Sequence, residues 1–314
     1  MITFVVIVYD MPQQAQNTIT SLLPSYQVDV SAADYDVIIV ENRSENLMSP
    51  EFLRTMPDGF RYFLRDESEP TPIHAINFGI EKARGKHVCV MIDGARVLSP
   101  GIVKYMLLAH QISDRTVVTV PGYHIGFELQ QDAVRHGYGE ERERELMRSI
   151  SWPEDGYRLF EIACFSGSSA PGLYLPHSES NCISMARTIW DALGGYDARF
   201  DMRGGGLVNL DMYKRACEYP GVTQIILHGE GTFHQFHGGV TTGGGDISDR
   251  ENFINAIKAQ YNEIRGEGYT SPETTPVYFG ELSNYVQKFV YTSSVRKLER
   301  LGIDVDMAYQ QAHQ

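Results

Sequence analysis

The first 120 residues alternate between short apolar runs and stretches with helical periodicity. Pairs of Ser-Pro or Thr-Pro mark the starts of the helical stretches. The apolar runs are rich in β-branched residues and predict buried strands at 2–8, 37–40, 60–64, 88–92 and 117–120. Strands that alternate with helices in this way are typical of βαβ units. The pattern therefore predicts an α/β fold with a mixed, mainly parallel sheet flanked by helices.

Three polar turns follow the first, second and fourth predicted strands. They read YDMP at 9–12, ENRSEN at 41–46 and DGAR at 93–96. In sheets of this kind, ligands bind in the crevice at the carboxyl ends of the strands. We therefore expect the functional residues in these three turns.

The second half of the chain is less regular. A charged stretch at 130–150 predicts a helical lid or insertion, and 181–186 and 222–227 read as late strands around a helix at 207–217. A capping box at 248–251 starts a helix with Phe253, Ile257, Tyr261 and Ile264 on one face. We expect a domain over residues 1–246 and a C-terminal helical extension over 247–314. The apolar face should pack against the core or against a second copy in a homo-oligomer.

Composition and charge narrow the classes of function. The chain has 314 residues, of which 42% are apolar and 21% charged, as in soluble globular proteins. A net charge of −13 argues against a nucleic-acid partner. The four cysteines form no paired-cysteine metal motif, and the first apolar run is too short for a signal peptide or membrane span. We expect a cytoplasmic protein without a transmembrane segment.

Several common ligand motifs are missing from the sequence. No GxGxxG follows the first strand, and neither GxxxxGK[ST] nor GxSxG occurs. The predicted sheet must therefore serve a ligand other than those that these motifs bind.

An ordered set of segments resembles the family 2 glycosyltransferases of the GT-A fold over about residues 2–240. The segments are VYDMP, DVIIVENRSEN, NFGIEKARGKHVCVMIDGARVLSPG and NCISMARTIWDALGGYDARF. The resemblance implies transfer of a sugar from a nucleoside diphosphate sugar to a hydroxyl of a saccharide or glycoconjugate acceptor. It also implies an inverting, hexosyltransferase-like enzyme, with a place in the synthesis of surface polysaccharides or glycoconjugates.

The resemblance also implies a donor-binding set at the strand ends. Glu41 is expected to contact the nucleobase and Asn77 to pack under the donor loop, whereas Arg65 is either a phosphate contact or a surface residue. The full set is Tyr9, Asp10, Glu41, Arg65, Asn77, Asp93, Gly94, Ala95 and Arg96.

The implied cofactor is a divalent metal, Mn²⁺ or Mg²⁺. Asp93, at the end of a buried strand, can serve the ribose or the metal. His234 and His237 lie in FHQFHGG, just past the last predicted strand, where the family often has a histidine that completes metal coordination. We expect Asp93 and His237 to hold the metal, with His234 in support.

The sequence departs from the family pattern at two places. Ala95 replaces the second acid of the DxD motif, so the usual pair of acids cannot form. Val208 and Asn209 replace the Glu-Asp pair whose Asp is the family's catalytic base, counting back from Arg215. The nearest acid, Asp211, is therefore the expected catalytic base.

Three alternatives stay open at this point. The domain could bind a sugar nucleotide or glycan without catalysis, or act as a scaffold, because Ala95 and Asn209 replace functional acids. It could be a metal hydrolase that uses the two histidines with a nearby acid such as Glu230. Transfer could also proceed without metal, with Arg96 neutralising the diphosphate, since a guanidinium suits phosphate oxygens.

Overall fold

The computed structural model describes residues 1–237 and 247–312. Its strands are β1 (Ile2–Val8), β2 (Tyr35–Asn42), β3 (Phe60–Arg65), β4 (His87–Met91), β5 (Arg96–Leu98), β6 (Thr116–Thr119), β7 (Gly122–Ile125), β8 (Ala163–Phe165), β9 (Cys182–Ala186), β10 (Thr223–Leu227), β11 (Thr232–His234) and β12 (Val277–Phe279). Its α-helices are α1 (Pro12–Thr20), α2 (Pro50–Arg54), α3 (Ile73–Lys82), α4 (Ile102–Ala109), α5 (Gln130–Ala133), α6 (Glu140–Ser149), α7 (Arg187–Leu193), α8 (Val208–Cys217), α9 (Ile247–Arg265), α10 (Gln287–Arg300) and α11 (Val305–Ala312).

The central sheet has the strand order β12-β10-β6-β9-β4-β1-β2-β3. All neighbouring pairs are parallel except those of β9, which runs antiparallel to both β4 and β6. Strands buried on both faces need continuous apolar sequence, and the runs that predicted β1, β2, β4 and β6 have it. The predicted mixed, mainly parallel sheet is confirmed.

A second, smaller sheet has the order β5-β11-β7-β8. In it, His234 lies opposite Arg96 on one side and opposite His124 on the other. Only four residues separate β4 of the central sheet from β5 of the small sheet. The chain after β4 therefore crosses from one sheet to the other at the DGAR turn.

Helices cover both faces of the central sheet. On one face, α1 buries Ala15 and Ile19, and α4 buries Met106 where it packs on β6 and β10. On the other face, α3, α7 and α8 bury Ile76, Trp190 and Met212. A third cluster, centred on Tyr123 with Phe160, Phe165, Phe233 and Phe289 around its ring, fills the space beside the small sheet.

The C-terminal segment packs against the rest of the molecule, as its apolar stripe predicted. Ile257 and Tyr261 of α9 are 7% and 3% exposed, and Tyr261 joins the core that contains Trp190. The segment also contributes β12, which pairs with β10 and had no counterpart in the sequence pattern. The expected boundary at residue 246 lies outside the described residues, and the division into two domains stays a prediction.

The charged stretch at 130–150 is helical but interrupted. It contains α5, a 3-10 turn at Val134–His136 and α6, separated by Gly137 with φ of 85°. A positive φ costs little only for glycine, so the break is encoded locally. Among the described helices, none combines the length and the apolar character that a membrane crossing requires.

Replacing Tyr261 by alanine is expected to lower the free energy of unfolding by about 2–4 kcal/mol, since the change leaves a cavity in the core. The matched control is Tyr291→Ala on α10, whose side chain is 73% exposed and whose loss should cost less than about 0.5 kcal/mol. Urea unfolding followed by circular dichroism measures both. Equal losses in the two variants would contradict the docking of α9 on the core.

Candidate functional site

Three side chains that can bind a metal converge where the two sheets meet. Asp93 follows β4, His234 ends β11, and His237 lies three residues farther along. His234 Nε2 lies 2.9 Å from Asp93 Oδ2 and 3.1 Å from His237 Nε2, and His237 Nε2 lies 3.8 Å from Asp93 Oδ1. One ligand atom from each residue falls within 4.8 Å of the other two. The structure thus brings together the three predicted metal ligands.

Gln130, at the start of α5, fixes the tautomer of His234. Its amide Nε2 donates to the His234 carbonyl at 3.2 Å, so the atom 2.6 Å from His234 Nδ1 is the acceptor Oε1. His234 Nδ1 must therefore carry the proton that it donates to Gln130. Burial lowers the pKa of His234 to about 4, which leaves the imidazole neutral near pH 7. Its Nε2 then presents a lone pair towards Asp93.

This arrangement places Asp93 Oδ2 and His234 Nε2 2.9 Å apart, a separation at which one cation could contact both atoms. Burial opposes ionisation of Asp93, but interactions with His234, His237 and Arg96 hold its pKa well below the usual value. An ionised carboxylate beside a neutral imidazole is the ligand set that a divalent cation requires. The three residues fit a Mn²⁺ or Mg²⁺ ion, and His234 is as well placed as His237.

Arg96 lies beside this cluster with unused hydrogen-bonding capacity. The residue is 7% exposed, and its Nε lies 3.5 Å from Asp93 Oδ2. Among the described residues, neither Nε nor Nη1 has a hydrogen-bond partner. Buried guanidinium groups normally have every donor paired. Arg96 therefore places a buried, incompletely paired positive charge beside Asp93.

The backbone of the DGAR turn is packed too closely for a side chain at position 94. A Cβ at Gly94 would lie 2.5 Å from the carbonyl oxygen of Ile7. Ala95 donates its N–H to Asp93 Oδ1 at 2.9 Å and accepts from Gln235 N–H at 2.8 Å. The side chain of Ala95 is fully buried and has no ligand atom. The turn therefore contributes Asp93 alone to a metal.

The turn after β1 lies at the same edge of the sheet as Asp93. Tyr9 is 58% exposed, and Asp10 has φ of 55° and accepts a hydrogen bond from Asn46 at 2.9 Å. Because β1 lies between β2 and β4, about two strand spacings, or roughly 10 Å, separate the ends that bear Glu41 and Asp93. The three turns expected to bind a ligand thus lie at one edge of the central sheet.

The carboxylate of Glu41 already accepts hydrogen bonds within the protein, which leaves it less free to contact a nucleobase. It is fully buried and accepts hydrogen bonds from the Tyr62 hydroxyl and from Met48 N–H, at 3.1 Å in the latter case. Burial raises its pKa, while these bonds lower it. This geometry favours a role in holding the turn after β2, and the direct contact with a nucleobase stays a prediction.

Arg65 and Asn77 make contacts within the protein. The Arg65 guanidinium lies 4.5 Å from the ring centre of Phe78, and its Nη2 lies 3.4 Å from a carboxylate oxygen of Glu67. Asn77 accepts from Tyr196 N–H at 2.9 Å and donates to Tyr196 O at 2.8 Å. Asn77 therefore fixes the Gly-Gly-Tyr-Asp turn, whereas the phosphate contact of Arg65 stays a prediction.

Asp211 is surrounded by arginine side chains. It is 1% exposed, and its two carboxylate oxygens accept from Arg215 Nε at 2.7 Å and from Arg265 Nε at 2.6 Å. A carboxylate that is ion-paired at both oxygens has no free lone pair directed at a substrate. This geometry disfavours the predicted role as catalytic base and favours a role in docking α9.

Both carboxylate oxygens of Glu230 also accept hydrogen bonds from the protein. Its oxygens accept from Ser99, from the Tyr157 hydroxyl at 2.8 Å and from Gly101 N–H at 3.2 Å, and the residue is 1% exposed. These contacts disfavour Glu230 as the acid of a metal hydrolase.

Two supporting residues were missed from the sequence. Gln130 orients His234, and Glu143 of α6 accepts from Phe236 N–H at 2.8 Å, between the two histidines. Burial raises the pKa of Glu143 to about 7. Both lie in the charged stretch predicted to be a lid, more than 90 positions from the histidines. No local pattern in the sequence could have indicated these contacts.

Comparisons with known proteins identify the family and the fold. The model of the family "Glycosyl transferase family 2" matches residues 3–166, which is more than half of the chain. Among solved structures, S. aureus TarS 1-349 is 10% identical with a TM-score of 0.50, and the match covers 95% of this chain and 72% of that one. The same protein in complex with UDP-GlcNAc is 9% identical with a TM-score of 0.51, with the same coverage of both chains. A comparison with curated proteins found no match.

The family match ends before His234, His237 and Asp211, so it supports the Asp93 half of the site only. The structural similarity supports the fold over the described chain, which is the mixed α/β fold of GT-A glycosyltransferases. The chain belongs to glycosyl transferase family 2 and is a glycosyltransferase.

Proposed function

We propose that this enzyme transfers a sugar from a nucleoside diphosphate sugar to a hydroxyl group of a saccharide or glycoconjugate, with inversion at the anomeric carbon. Asp93, His234 and His237 would hold a divalent cation, Mn²⁺ or Mg²⁺, next to the donor diphosphate. The observation that supports this most is the convergence of Asp93, His234 and His237, whose ligand atoms lie within 4.8 Å of one another, beside Arg96.

The chemistry explains why these groups belong together. Departure of the diphosphate develops negative charge, which a bound divalent cation would neutralise. The guanidinium of Arg96, whose Nε lies 3.5 Å from Asp93 Oδ2, would add positive charge beside the diphosphate. Gln130 keeps the proton of His234 on Nδ1, so that Nε2 stays available as a ligand. The crevice beside Tyr9 and Asp10 would receive the nucleoside.

A non-catalytic domain that binds sugar nucleotides is the second candidate. It is favoured by one observation, the ion pairs that occupy Asp211 where a catalytic base was expected. Turnover of the donor separates the two candidates. The base and sugar of the donor, the setting in polysaccharide or glycoconjugate synthesis, the cytoplasmic location and a homo-oligomer formed through the C-terminal helices stay predictions.

Sugar nucleotides should stabilise the protein, and more so with Mn²⁺ than with a chelator. A panel of UDP-, GDP- and TDP-linked hexoses, screened by thermal shift, tests this. A donor at 100 times its Kd should add about 2.7 kcal/mol to the stability. Release of nucleoside diphosphate from that donor then tests catalysis. A panel without any shift would contradict donor binding, and a shift without turnover would favour the non-catalytic candidate.

Removing the hydrogen bond between Gln130 and His234 should weaken the binding of Mn²⁺ in the absence of nucleotide. Gln130→Leu should cost about 10–100-fold in affinity, because the tautomer is no longer fixed. His234→Ala and His237→Ala should each cost more, since a ligand is lost. The matched control is Gln111→Leu, at an exposed position, and calorimetric titration measures all four variants. Wild-type affinity in Gln130→Leu would contradict the assigned tautomer.

Arg96→Met should weaken binding of UDP and GDP but not of Mn²⁺. Loss of charge-assisted hydrogen bonds, about 1.5–3 kcal/mol, corresponds to roughly 10–100-fold in affinity. Binding of Mn²⁺ should stay equal or tighten, because a nearby positive charge is removed. Arg142→Met, at an exposed position of α6, is the control. Unchanged nucleotide affinity in Arg96→Met would contradict a phosphate contact.

A further inference from the structure

Among the residues that the structure describes, none has yet been assigned as the group that takes the proton of the acceptor. Transfer to a hydroxyl requires a carboxylate or another base within hydrogen-bond reach. Asn209 occupies the position where the family resemblance places an acid, and both oxygens of Asp211 are ion-paired. A base must therefore come from elsewhere in the chain.

Glu179 lies at the edge of the sheet that bears the metal cluster. It lies three residues before the start of β9, and β9 runs antiparallel to β4 with Cys182 opposite Met91. The segment that leads into β9 therefore passes beside the segment that runs from β4 to Asp93. Glu179 is partly exposed, unlike the buried acids Glu41 and Asp211.

Asn209 holds one oxygen of this carboxylate. Its Nδ2 donates to Glu179 Oε2 at 2.9 Å and to Ser180 O at 3.2 Å. Its Oδ1 accepts from the Tyr196 hydroxyl at 3.3 Å, so the amide orientation is fixed. The residue at the family's base position thus lies in direct contact with another acid. Within the described residues, Glu179 Oε1 has no hydrogen-bond partner and is free to accept a proton.

Arg96 connects Glu179 to the diphosphate end of the site. Burial lowers the pKa of Arg96, whereas the charges of Asp93 and then Glu179 raise it. Glu179 is therefore close enough to Arg96 for their charges to interact. One guanidinium lies within electrostatic reach of both the metal ligand and the free carboxylate.

We propose that Glu179 is the general base of the transfer reaction and that Asn209 positions it, a proposal that rests on the proposed function. The acceptor O–H proton passes to Glu179 Oε1 while the acceptor oxygen forms its bond to the anomeric carbon. The bond from that carbon to the diphosphate oxygen breaks, and its electron pair leaves with the nucleoside diphosphate. Atoms and charge balance without any further reactant.

The test uses the full-length protein, Mn²⁺ and the sugar nucleotide that shifts the wild-type melting temperature most, with water as the acceptor. Glu179→Gln should reduce release of nucleoside diphosphate by about 10²–10⁴-fold, the usual contribution of a general base. Donor affinity and melting temperature should stay at wild-type values. Glu161→Gln, an exposed glutamate paired with Arg158, is the matched control and should turn over normally.

A carboxylate exchange separates catalysis from a structural role. In the double variant Glu179→Gln/Asn209→Asp, the amide and the acid trade places across the same 2.9 Å contact. If this double variant releases nucleoside diphosphate at least about tenfold faster than Glu179→Gln alone, the result would support Glu179 as the general base, since only the proton acceptor is restored. Wild-type turnover in Glu179→Gln, or no recovery in the double variant, would overturn the assignment of Glu179. A wild-type protein that binds no donor would instead overturn the proposed function itself.

Discussion

The contact between Asp93 and His234 determines how the rest of the site is built. Asp93 lies on the short turn that leaves the central sheet, and His234 ends a strand of the small sheet. The two side chains meet only because β5 pairs with β11, which sets His234 opposite Arg96. Gly94 has no room for a side chain, so the crossing between the sheets admits little variation. The side chains expected to bind a metal and the guanidinium of Arg96 are thus placed by one crossing of the backbone.

The central sheet could be predicted from the sequence because its strands are continuous apolar runs buried on both faces. The small sheet could not, since β5, β8 and β11 are three residues long and give no periodic pattern. For the same reason the metal cluster was predicted only through family resemblance. Gln130 lies more than 100 positions from His234, and a contact over that separation depends on tertiary packing alone.

Residue type and spacing identified the acids of this chain but not their partners. Glu41 and Asp211 were both expected to face a ligand, yet each is buried with its oxygens already accepting from the protein. A buried carboxylate must be paired to remain ionised, so its role follows from what surrounds it. Glu179, which lies in a loop rich in glycine and serine, keeps one oxygen free because its side chain is partly exposed.

The charges at the site explain why cation and donor would be bound together under the proposed function. Asp93 and Arg96 cancel each other, and His234 is neutral, so the cluster would bind a cation alone more weakly than a cation together with a diphosphate. A divalent cation by itself would place excess positive charge beside Arg96, and a diphosphate by itself would face Asp93 and Glu179. Binding both restores balance, since the two charges of the cation offset those of the diphosphate in a region where water screens poorly. Departure of the nucleoside diphosphate would leave a cation beside the positive charge of Arg96, and this repulsion would favour release of the cation with the product.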